Sequence, residues 1–160
     1  MSALIVALAI ALVAGAAVAR PAHKIDCKGK FPCVGTPRAD TMFGTNSHDK
    51  INAKGGNDYV YARDGCCETT TGGPGDDHLL GQDGVDWLRG EQGNDDVYGG
   101  KGGDYINGGG GRDYITGDKD NDDINANDGQ RDVVACGSGR DRVKADPRDR
   151  LYNCEDVVRR

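Results

Sequence analysis

The sequence predicts an all-β solenoid of flattened, stacked eighteen-residue coils, and three observations carry that prediction. An aspartate recurs every nine residues at Asp77, Asp86, Asp95, Asp104, Asp113 and Asp122. An aliphatic side chain follows two residues after each, at Leu79, Leu88, Val97, Ile106, Ile115 and Ile124. Glycine fills the intervals, supplying nine of the nineteen residues from Gly99 to Gly117.

Nine residues divide naturally into a strand and a turn. The run x-aliphatic-x makes a short strand with one side chain inward and two outward, and the six glycine-rich residues ending in Asp make the turn. Two such units close one coil, and coils about 4.8 Å apart pair their strands in parallel, so the aliphatics form a thin inner column. The same nine-residue spacing recurs upstream at Asp40, Asp49 and Asp58 with Met42, Ile51 and Val60. After one inserted residue it resumes downstream at Asp132 and Asp141 with Val134 and Val143. Composition demands such an arrangement. With 36% hydrophobic and 6% aromatic residues, 26 glycines and a formal net charge of −6 over 160 residues, the chain cannot fill an ordinary core and would otherwise read as disordered.

Taken in order, residues 1–19 hold the apolar run "ALIVALAIALVAGAAVA" and read as a secretory signal peptide cleaved before Arg20, with an uncleaved anchor as the alternative. Residues 20–34 form a lead segment, 35–144 the repeats and 145–160 a tail that caps the last coil, with Leu151, Val157 and Val158 as its cover. After Asp58 the phase lands on Cys67 in "ARDGCCETTT", one residue too long, so a bulged loop without a cation site is expected there. In an exported chain the six cysteines should be oxidised. Cys136 and Cys154 lie eighteen residues apart, one full coil, and are expected to bridge. Cys27, Cys33, Cys66 and Cys67 allow three connectivities.

The acids need a counter-charge. Stacking sets Asp77 against Asp95, Asp86 against Asp104, Asp95 against Asp113 and Asp104 against Asp122, and like charges so close repel unless a cation lies between them. Turn glycines such as Gly75, Gly84, Gly93, Gly102 and Gly111 can aim backbone carbonyls at the same point. That gives a flexible all-oxygen cage suited to calcium rather than magnesium. Binding and folding would then be one event. The four regular pairs, with Asp40/Asp58, Asp58/Asp77, Asp113/Asp132 and Asp122/Asp141 as less regular ones, suggest about four to eight ions.

The stretches "GGPGDDHLL", "GGKGGDYIN" and "GGGGRDYIT" resemble the nonapeptide of the haemolysin-type (RTX) calcium-binding repeats over roughly Gly35 to Lys144. The resemblance implies a right-handed parallel β-roll with a row of calcium ions along each edge. Where that family has glycine two residues before Asp, this chain has Arg38, Ser47, Asp120 and Gln130. Asp120 departs least, since Asp tolerates a left-handed backbone.

Other chemistries lack their residues. His23, His48 and His78 match no zinc spacing, there is no G-x-S-x-G elbow, and "DKDNDD" lacks the glycine and closing glutamate of an EF-hand. His78, outward after Asp77, is expected to be exposed, and one outward threonine, Thr41, is too few for an ice-binding ladder. From Gly55 to Asp128 seventeen acids face five bases, which argues against a nucleic-acid partner, while the more basic tail reads as a solvated cap. The expectation is a secreted, non-enzymatic calcium-binding protein, complete in itself and without stable membrane insertion once its leader is removed. The alternative is an adhesin or glycan- and matrix-binding module, because Tyr59, Trp87, Tyr105 and Tyr114 project outward, with Trp87 and Tyr105 on one face. Those aromatics also suit a plain strand surface.

Overall fold

The computed structural model describes residues 23–65 and 68–159. The leader, Cys66 and Cys67, including any pairing or redox role of those two cysteines, lie outside the described residues. Strands alternate between two parallel sheets, and among the described residues there is no helix. One sheet stacks β1 (His23–Asp26), β3 (Asp40–Phe43), β5 (Tyr59–Tyr61), β7 (His78–Asp83), β9 (Asp96–Lys101), β11 (Tyr114–Lys119), β13 (Val133–Ser138) and β15 (Arg150–Tyr152). The other stacks β2 (Cys33–Val34), β4 (Lys50–Asn52), β6 (Thr69–Pro74), β8 (Trp87–Gln92), β10 (Tyr105–Gly110), β12 (Asp123–Ala126), β14 (Arg142–Ala145) and β16 (Asp156–Arg159). The chain is therefore a β-solenoid in which every second strand is a neighbour. Its register follows the repeat, pairing Leu79 with Val97 and Leu88 with Ile106, and slips by one residue where the insertion falls, pairing Ile115 with Val134.

Met42, Val60, Leu79, Val97, Ile115 and Val134 line the inside of the first sheet, and Ile51, Leu88, Ile106, Ile124 and Val143 that of the second, all at most 2% exposed. Each such side chain contributes roughly 1.5–3 kcal/mol of burial. Thr70 takes the inward place between Ile51 and Leu88, its hydroxyl without a partner. The turns approach one another so closely that they tolerate no side chain. Gly93 sits at φ +131°, and a Cβ there would collide with the carbonyl oxygen of Gly75 in the preceding coil.

Cys136 and Cys154 are bonded, with Cα atoms 5.2 Å apart, and Cys27 pairs locally with Cys33. In the final coil β15 and β16 extend the two sheets, and Leu151 packs against the core. Val157 and Val158 do not cover it; they stand 38% and 41% exposed, because β16 joins the sheet edge rather than folding across the open end. His78 is likewise less exposed than expected. Stacking places it between Tyr59 and Tyr98, with ring centroids 5.2 and 5.1 Å away, and leaves its side chain 29% exposed.

Candidate metal centre

The repeat aspartates stand inside the turns, not on the surface. Asp58, Asp77, Asp95, Asp113 and Asp132 form one row, and Asp86, Asp104, Asp122 and Asp141 another, each at most 3% exposed. One oxygen of each carboxylate is occupied by the main chain of the preceding coil. The Asp77 N–H donates to Asp95 Oδ1 (2.8 Å), Asp95 to Asp113 Oδ1 (2.9 Å), Asp86 to Asp104 Oδ1 (2.8 Å) and Asp104 to Asp122 Oδ1 (2.8 Å). The first row extends the same way from Asp40 to Asp149, and the second ends with the Asp141 N–H donating to Glu155 Oε2 (3.0 Å).

The second oxygen is the informative one. Oδ2 of Asp58, Asp77, Asp86, Asp95, Asp104, Asp113, Asp122, Asp132 and Asp141 is buried and has no hydrogen-bond donor among the described residues. One buried carboxylate oxygen left so would be costly, and a periodic series of them fits a row of cation ligands. From Asp77 to Asp122, Oδ2 turns back onto the first glycine of its own turn. A Cβ built on Gly81 would lie 2.5 Å from both Asp86 Oδ2 and the Gly99 carbonyl oxygen, and one on Gly90 would strike both Asp95 Oδ2 and the Gly108 carbonyl oxygen. Carboxylate and main-chain oxygens thus converge in space that only glycine leaves free. The carbonyls of Gly75, Gly84, Gly93, Gly102 and Gly111 accept no backbone hydrogen bond among the described residues, so they remain available as ligands. The sequence pointed to these fourth-place glycines and overlooked the first-place ones, although Gly72, Gly81, Gly90, Gly99, Gly108 and Gly117 recur just as regularly.

Burial dominates the electrostatics. It pushes the carboxyls of Asp77, Asp95, Asp104, Asp122 and Asp132 up to about 7 and those of Asp58 and Asp113 up to about 6. The donated N–H pulls each back in part, and neighbouring carboxylates push it higher. Asp86 and Asp141 are also raised, again chiefly by burial. Among the described residues no three His, Cys, Asp or Glu side chains gather at one point, so a cation here would be held by carboxylate and carbonyl oxygens together, a hard donor set that fits calcium.

Two positions depart from the pattern. At the N-terminal coil Asp40 is satisfied by protein donors: the Thr36 N–H (2.6 Å) and Oγ1 (3.0 Å) donate to its Oδ2, and His23 Nδ1 lies 3.2 Å from Oδ1. Asp40/Asp58 is therefore not an open pair on its Asp40 side. Asp49 is closed similarly by Thr45. In the interrupted repeat the ladder place that Cys67 was expected to spoil is taken by Glu68, which sequence phase alone did not reveal.

A parallel β-solenoid lined by two rows of oxygen ligands defines a calcium-binding repeat protein. Residues 34–65, 71–106 and 98–133 match the family described as the RTX calcium-binding nonapeptide repeat (4 copies), and the chain belongs to that family. No curated protein matches it significantly.

Proposed function

We propose that this is an exported, non-catalytic protein whose roll is completed by calcium outside the cell, at about four to eight sites. The observation that carries this reading is the unbroken series of buried, donor-less Oδ2 atoms facing main-chain oxygens. Asp58, Asp77, Asp95, Asp113 and Asp132 would hold one row of ions, and Asp86, Asp104, Asp122 and Asp141 the other, with turn glycines giving carbonyls. Calcium supplies the positive charge that keeps these carboxylates ionised when buried. The two disulfides suit an oxidising compartment. At the low calcium of a cytosol the chain stays open, and at the near-millimolar calcium found outside it closes.

Far-UV circular dichroism of the oxidised chain, titrated with calcium and separately with magnesium to about 10 mM, tests the reading. A cooperative coil-to-β transition with calcium alone is expected. A chain fully folded in chelator, or indifferent to calcium, overturns it.

A second reading rests on the outer face of the even-numbered sheet. Trp87 stacks on Tyr105 at 4.5 Å beside a shallow groove that also involves Arg89, Asn107, Asn125 and Lys144. Aromatic faces among amide and cationic donors suit a glycan, and the roll would then be the scaffold of a matrix-binding module. Binding on a glycan array that Trp87→Ala abolishes would support this reading, and no binding by the calcium-loaded chain would remove it.

A further inference from the structure

We propose that Glu68 is itself a calcium ligand, carrying the second row of ions across the interrupted repeat. The inference deepens the calcium reading and rests on it. Glu68 falls between the matched segments, which stop at residue 65 and resume at 71, so the family pattern assigns it nothing.

Its main chain occupies an aspartate's place. The Trp87 N–H donates to the Glu68 carbonyl (2.8 Å), as the Tyr105 N–H does to that of Asp86 (2.8 Å). The Glu68 N–H donates to Asp86 Oδ1 (3.2 Å), the next step of the ladder. The side chain is fully buried, yet neither Oε1 nor Oε2 has a donor among the described residues. It reaches back into the turn. A Cβ on Gly65 would collide with Oε1, and one on Gly84 in the next coil would come within 3.4 Å of Oε2. The carboxylate therefore enters the turn beside the fourth-place positions Gly65 and Gly84, where the regular coils offer main-chain carbonyls, rather than at the first place onto which the regular aspartates turn. The compensation is geometric: a longer loop takes a longer acid. With no cation, two neighbouring acids, Glu68 and Asp86, would be buried together without a counter-charge.

The full chain tests this with two probes, calcium and its luminescent trivalent surrogate terbium. Trp87 is the only tryptophan and directly follows Asp86, so terbium held by Glu68 and Asp86 is excited at wavelengths where tryptophan alone absorbs. In Glu68→Gln, at saturating calcium and with wild-type circular dichroism, we expect one ion fewer by calorimetry. We also expect the Trp87-sensitised emission to fall, leaving the share from an ion between Asp86 and Asp104, while the tyrosine-sensitised signal persists. An unchanged ion count with unchanged Trp87-sensitised emission overturns this inference alone. Wild-type chain that binds neither metal overturns the calcium reading with it. If Glu68→Gln does not fold, Glu68→Asp decides: it keeps the charge and loses the methylene, so a weakened ion with reduced Trp87 emission supports the inference, and wild-type behaviour in both readouts overturns it.

Discussion

The first coil and the central block present the same aspartate in two chemical states. At Asp40 and Asp49 a threonine in the second place of the turn donates its N–H and hydroxyl to Oδ2. In the block the second-place residues Gly73, Gln82, Glu91, Gly100, Gly109 and Asp118 all adopt positive φ, and the matching Oδ2 atoms have no donor. A β-branched residue resists that left-handed region, so Thr36 and Thr45 keep an ordinary φ and their amides can reach the acid. One backbone dihedral thus separates a carboxylate closed by the protein from one left open to a cation. The comparison teaches that the roll need not be metal-dependent throughout: its first coil, stapled by Cys27–Cys33, supplies its own donors.

The comparison is tested most severely by pH in the presence of chelator. The block carboxyls are raised in the folded chain above their ordinary value near 4, so between about pH 4 and 7 the folded state binds more protons than the unfolded one. Their contribution is fully present below pH 4 and is lost as pH rises through about 7. Chelated protein followed by circular dichroism should therefore gain structure on acidification, and calcium should remove that dependence. Next in size is Asp95→Ala. It strands the Asp77 N–H and removes a proposed ligand, and should cost on the order of 3–5 kcal/mol in calcium by denaturant titration. Opening the Cys136–Cys154 bridge by serine substitution should cost about 3 kcal/mol by denaturant titration in calcium, with no change in ion count. Thr45→Val removes only the hydroxyl donor and should cost about 1–2 kcal/mol with no change in calcium stoichiometry. Trp87→Ala, whose ring projects from the outer face against Tyr105, should move stability by about 1 kcal/mol or less in thermal melts and leave the calcium midpoint alone.

Much of this was legible in the sequence because a repeat turns spacing directly into geometry. The interval of Leu79, Val97 and Ile115 fixed the register, and that of Cys136 and Cys154 fixed a bridge. What escaped depended on features that spacing does not encode. The closing of Asp40 and Asp49 is a matter of φ at Thr36 and Thr45, and Glu68 was hidden because an insertion and a change of acid cancel only in three dimensions. Val157 and Val158 had suitable composition for a cover, but β16 found hydrogen-bonding partners in β14 and took the sheet edge instead. Cys27 and Cys33 chose each other within a short loop, which nothing in the repeat constrained.

The aspartate ladder also has a direction. Apart from Asp49, the N–H of each repeat aspartate from Asp40 to Asp141 is answered by a carboxylate from the coil that follows it in the chain, down to Asp149 and Glu155. The two ends are consequently unequal to injury. Removing the last coil takes from the Asp132 and Asp141 N–H groups the carboxylates they donate to, a place no metal ion can fill, whereas removing the first frees only an oxygen, which can ligate a cation. Nicks near the C-terminal end should unzip the roll, while losses at the other end are repaired by the solvent's own calcium.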